Sequence, residues 1–174
     1  MSYTTLHGFN KDGEIYNINE YNNAWHGAII VWMEMAKKYG IPKGEEIVFN
    51  DAVAKQIWGL PFKNEDMTEA DRITMITTFD RFVVYKQDFP ALITAMKESA
   101  TWLPPHCHIV KEAEDVEKVM NDEDLIAVAW TQTSVADCWG SGEFDENEES
   151  VPYNLNKHTK HINLFESLKE CCHG

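Results

Sequence analysis

Leu125-Ile-Ala-Val-Ala-Trp-Thr-Gln-Thr133 is an uncharged run of β-branched and aromatic residues, and it reads as a strand. Side chains alternate along a strand, so apolar residues at successive positions reach both faces of a sheet. This strand therefore needs cover on both sides.

The residues before it are expected to supply the cover. Asp88 precedes Phe89-Pro90, and Phe89, Leu92, Ile93, Met96 and Ala100 form one stripe at helical spacing, ended by Pro104-Pro105. Residues 76–86 favour a strand. Cys107–Val110 reads as a short β-like piece, and a small helix is expected over 113–120, with Val116, Val119 and Met120 inward. Residues 76–133 would then alternate β-α-β-α-β.

Before this unit, Asn10-Lys-Asp-Gly13 separates two β-compatible runs and predicts a hairpin over 3–18. Asn22 or Asn23 can cap a helix running to Tyr39 and closed by Gly40. Trp25, Ala28, Ile29, Trp32, Met33 and Ala36 form its apolar side, with Ile30 on the polar side. Residues 46–49 suggest a short strand and 51–58 a short helix stopped by Gly59 and Pro61, while Thr68 starts a helical turn. The expectation is a single α+β domain over 1–174, with a mixed or antiparallel sheet carrying helices. The N-terminal β-hairpin is followed by a long core helix, residues 140–150 form an exposed acidic loop, and residues 169–174 a frayed tail.

At 44% apolar residues the chain is too hydrophobic for disorder, despite a net charge of −14. Residues 112–149 hold 13 acids and one base, a net of −12. The partner-binding candidates are Glu112, Glu114, Asp115, Glu117, Asp122, Glu123, Asp124, Glu143, Asp145, Glu146, Glu148 and Glu149. Such a segment repels nucleic acid and anionic lipid and attracts basic surfaces or cations. Its plain alternative is a solvated loop that aids solubility. A calcium site is disfavoured because the run lacks EF-hand spacing.

No phosphate-binding glycine loop, nucleophile elbow, His-Glu-x-x-His motif or zinc-deaminase signature occurs, and no basic patch carries interleaved aromatics. No run is apolar and long enough to cross a bilayer, and no secretory signal is expected. Cys107, Cys138, Cys171 and Cys172 do not form the framework of a small secreted protein, which points to thiols in the cytoplasm; a Cys107–Cys138 disulfide is the alternative. His106 and His108 on a strand would share one face, and His158 and His161 on a helix would share another. The four could hold zinc, with Cys138 or the terminal cysteines adding ligands. The bland reading is surface or half-buried imidazoles. Cys138 beside Asp137 and Trp139 would be reactive only with a base such as His158 or His161. Asp80-Arg81 reads as a strand charge pair.

The leading functional expectation is a non-enzymatic binding or inhibitor protein that docks on a basic partner. Mimicry of nucleic-acid charge, as in phage-encoded inhibitors of host defence, is one form this docking could take, although many ordinary acidic proteins have the same charge balance. The runner-up is a small metal-dependent hydrolase using the His/Cys set. A third reading is an assembly subunit with an apolar patch around Ile30.

Overall fold

The structure, a computed structural model, describes residues 3–23, 26–132 and 139–171. The first hairpin pairs β1 (Tyr3–Asn10) with β2 (Ile15–Asn22). Gly13 turns the chain at φ +78°, its N–H donating to the Asn10 carbonyl at 2.8 Å, a conformation suited to a residue without Cβ. The next helix, α1 (Ala28–Lys38), begins later than the sequence suggests. Asn22 ends β2, and Asn23 is used across the sheet: it accepts from the Thr4 hydroxyl at 2.6 Å and donates to the Gln132 carbonyl at 3.0 Å. Gly40, at φ +73°, closes α1 as expected, and the Ile41 N–H reaches back to the Ala36 carbonyl. The buried positions of α1 are Ala28, Val31, Met35 and Ala36, so its core face is rotated from the expected stripe. Ile30 is half-buried and packs on the core.

A short 3₁₀ turn, Gly44–Glu46, replaces the expected strand there. α2 (Asp51–Lys63) starts at Asn50, whose side chain accepts from the N–H groups of Ala52 and Val53. It runs through Gly59 and Pro61 instead of stopping. Proline costs a helix one hydrogen bond, and here Pro61 is buried in the last turn while its carbonyl accepts from the Arg72 guanidinium. α3 (Glu69–Ile76) is capped by Thr68, so the strand expected from 76 begins only at β3 (Phe82–Tyr85).

α4 (Phe89–Ala100) buries the expected residues Phe89, Leu92, Ile93 and Met96. α5 (Ile109–Val119) takes up Ile109 and Val110, the second half of the expected β-like piece, and β4 (Leu125–Thr131) follows. The unit is thus β-α-α-β, not β-α-β-α-β. Two helices between two strands return the chain in the opposite direction, and β3 and β4 are antiparallel neighbours. The acidic run forms a separate hairpin of β5 (Gly140–Phe144) and β6 (Ser150–Pro152). Two-residue β7 (Ile162–Asn163) adds parallel to β3 and leads into α6 (Leu164–Cys171), so the tail expected to fray from 169 is helical to Cys171.

The main sheet has the order β2-β1-β4-β3-β7 and is mixed. β4 is covered on both faces, as its sequence requires. Val128 and Trp130 join the helix-side core, whereas Ala127 and Ala129 join a second core with Phe9, Val83, Trp139, Tyr153 and Leu155. Trp139 and Tyr153 sit edge to face at 5.3 Å, and the Trp139 indole donates to the Trp130 carbonyl. This single α+β domain contains, among the described residues, no helix long and apolar enough to cross a membrane.

Candidate functional site

Two of the twelve acidic candidates point inward. α5 places Ile109, Glu112, Ala113 and Val116 on one buried face at helical spacing, which puts the Glu112 carboxyl into the core. Its Oε2 and the Trp130 indole nitrogen make no hydrogen bond of good geometry among the described residues, yet the indole N–H lies close enough to favour the ionised carboxyl. Burial raises the carboxyl to about 7, against a smaller lowering by Trp130. Asp115 accepts from the Tyr21 hydroxyl at 2.7 Å, Asn19 at 2.6 Å and Lys118 at 2.6 Å. Burial pushes its carboxyl up, but these bonds outweigh burial and hold it below its ordinary value. Glu112 and Asp115 are therefore no part of an exposed docking surface. The other ten acids are exposed. Glu117 pairs with Lys97 across to α4 at 2.7 Å.

Residues 143–149 are an arm with an ordered turn. Asp145 Oδ1 accepts the N–H groups of Asn147 at 2.8 Å and Glu149 at 2.9 Å, which hold its carboxyl below the usual range. Glu148 takes the left-handed conformation at φ 63° to complete the turn. The base of the arm is tied down by Ser141, whose hydroxyl donates to the Val151 carbonyl, and by Lys160, which donates to the Ser141 carbonyl. Phe144 is 70% exposed among Glu143, Glu146, Glu148 and Glu149. A cleft of about 590 Å³ between the arm and the first hairpin is lined by Glu14, Glu143, Tyr153, Lys157 and His158, among others.

The four candidate histidines fall into two groups on opposite sheet faces. On the helix side, His106 and His108 lie in the turn before α5, not on a strand. Their neighbour is His26, in the turn before α1. Its ring centroid is 5.2 Å from His106 and 5.7 Å from His108, and the His108 N–H donates to the His26 carbonyl. The Nδ1 atoms of His26 and His108 are buried without a hydrogen-bond partner among the described residues. Burial, then the neighbouring His26 and Lys111, lowers the His108 imidazole below its ordinary value. Burial also pushes the adjacent Cys107 thiol up to about 11, which favours the protonated thiol.

On the other face, His158 and His161 lie in a turn segment, not a helix. His161 Nδ1 is 2.8 Å from the Tyr153 hydroxyl and Nε2 is 3.4 Å from the Tyr85 hydroxyl, and burial lowers the imidazole. His158 Nδ1 accepts the Asn154 N–H at 2.9 Å. The sheet therefore keeps His106 and His108 apart from His158 and His161. No group of three or more His, Cys, Asp or Glu side chains among the described residues is placed to hold a metal ion. Asp137, Cys138, Cys172 and His173 lie outside the described residues. Asp80 and Arg81 lie in a turn, not a strand, and Asp80 Oδ1 accepts the Gln132 N–H at 3.3 Å.

Sequence reasoning missed His26 and Tyr21 at the first group and Tyr85 and Tyr153 at the second. Only contacts distant in sequence make them neighbours. Glu112 was detectable, because Ile109, Glu112, Ala113 and Val116 keep helical spacing once the helix is started at 109. No protein-family model matches the chain, no curated protein matches it, and no solved structure matches it.

Proposed function

We propose that this chain is a non-enzymatic binding protein of the cytoplasm that docks the β5–β6 arm on a basic protein surface, of the kind that otherwise holds nucleic acid. The observation that carries this reading is the exposure of Phe144 among four glutamates on a turn organised by Asp145. Charge alone steers a partner and gives weak, screened contacts. An aromatic anchor that excludes water at the centre of a charged rim supplies the short-range part of recognition. The arm's anchored base also reduces the ordering cost of binding.

The test is capture from lysate with three forms of the protein: native, Phe144→Ala, and one with Glu143, Glu146, Glu148 and Glu149 changed to Gln. Captured proteins should be basic, be lost from the glutamine form, be weakened by Phe144→Ala, and decline between about 0.05 and 0.5 M salt. Added duplex DNA should displace them. Partners held equally by all three forms at both salt concentrations would overturn the proposal.

A further inference from the structure

A cavity of about 380 Å³ opens between α1, α2 and the turn that follows α3. Its walls are Trp32, Trp58, Phe62 and Phe79. The rings follow one another around the opening, with Trp32 5.8 Å from Trp58 and 6.4 Å from Phe79, and Phe62 6.2 Å from Phe79. Trp58 is 44% exposed at the rim, although an aromatic of this size is usually more deeply covered.

The polar atoms around the cavity are committed to the protein. The Trp32 indole N–H donates to the Thr78 hydroxyl at 2.7 Å, and that hydroxyl donates to the Met75 carbonyl. The Gln132 side-chain amide donates to the Thr77 carbonyl, and its Oε1 lies 2.9 Å from the Thr4 hydroxyl. The walls are thus fixed before any ligand arrives, and they are built mainly of aromatic rings rather than hydrogen-bond donors. Among the described residues the lining contains one charged side chain, Asp80, whose Oδ1 accepts the Gln132 N–H, and no lysine or arginine.

Ring faces carry negative potential, and a carboxylate adds to it. A hydrocarbon would gain from burial but make no use of Asp80. An anion would be repelled by both the rings and the carboxylate. We infer that the cavity bounded by Trp32, Trp58, Phe62, Phe79 and Asp80 is a binding site for an alkylated ammonium group. The reading is independent of the arm, which belongs to a different part of the chain.

Calorimetric titration of the full chain with a trimethylammonium compound and with its neutral tert-butyl isostere tests the site. The cation should bind about tenfold more tightly than the isostere, a preference within the range of desolvated cation–π contacts. Trp58→Ala should abolish binding, Trp58→Phe should keep most of it, and Asp80→Asn should weaken the cation without affecting the isostere. Trp58 is exposed enough that the alanine form should keep the native circular dichroism, which checks that loss of binding is not loss of fold. A parallel titration with a trimethyllysine peptide separates the two sources of this group. Tighter binding of the free cation identifies a small molecule, and tighter binding of the peptide a modified side chain. Equal affinity for cation and isostere, cation binding unchanged in Trp58→Ala, or no saturable binding of either cationic probe would overturn the inference.

Discussion

Asp71 and Glu112 are 1% and 3% exposed, yet their surroundings drive them in opposite directions. Asp71 accepts from Lys38 and Tyr39 at 2.5 Å, Ser99 at 2.7 Å and Trp102 at 3.0 Å. Burial disfavours its charge, but the bonds from Lys38, Tyr39 and Ser99 outweigh it and hold the carboxyl low. The ionised form is therefore favoured by folding. Its stabilisation is present above the unfolded value near about 4 and is lost as pH falls through the folded value. Asp71→Asn should cost about 3 kcal/mol in urea denaturation at pH 7, because it strands a buried donor set. Glu112 has the reverse sign. Its folded value of about 7 lies above the unfolded one, so its contribution is full below about pH 4.5 and is lost as pH rises to 7. Glu112→Gln should accordingly match the native protein near about pH 4.5 and exceed it by up to roughly 3 kcal/mol at pH 8. Equal destabilisation at both pH values would show that Oε2 is satisfied in solution.

At the scale of elements, the hairpin turn and the 154–157 segment brace each other. Gly13 accepts the Leu155 N–H, Asn154 donates to the Asp12 carbonyl, and Asn156 donates to the Lys11 carbonyl. A Cβ at Gly13 would come 2.7 Å from the Asn156 nitrogen, on a backbone already at φ +78°. Gly13→Ala should lower stability by about 2 kcal/mol through strain and collision together, with faster amide exchange in both segments. A change confined to residues 10–14 would show that the brace is weak. The turn itself was legible because Asp12-Gly13 is a local signal, and α4 because Pro90 and one apolar stripe agree. What the sequence hid was decided by distant partners. Asn23 looks like a helix cap but bonds Thr4 and Gln132 across the sheet. Pro61 looks like a stop but sits in a last turn packed by α3. The histidine pairs looked like one shell because spacing along the chain carries no information about which sheet face a segment covers.

For the whole molecule, folding concentrates charge that the sequence merely spaces out. Leu125 pairs with Asn10, so the turn at Asp122, Glu123 and Asp124 meets the end of the first hairpin. There Asp122 and Asp124 reinforce the raising of the Tyr16 hydroxyl by burial. Glu143 of the arm lines the cleft beside Glu14 of the same hairpin. Acids from three separate stretches thus gather at one end of a molecule of net charge −14. This repulsion opposes the compact state and is screened when the Debye length falls to about 10 Å near 0.1 M salt. The urea midpoint should therefore rise between about 0.02 and 0.3 M NaCl, with the slope of the transition unchanged. Changing Glu143, Glu146, Glu148 and Glu149 to Gln should raise the low-salt midpoint and shrink the salt effect, while Asp71 and its buried donors respond little to either. If the glutamine form keeps the full salt response, the destabilising charge lies at residues 122–124 and the first hairpin. The arm would then be held far enough out to cost the fold nothing.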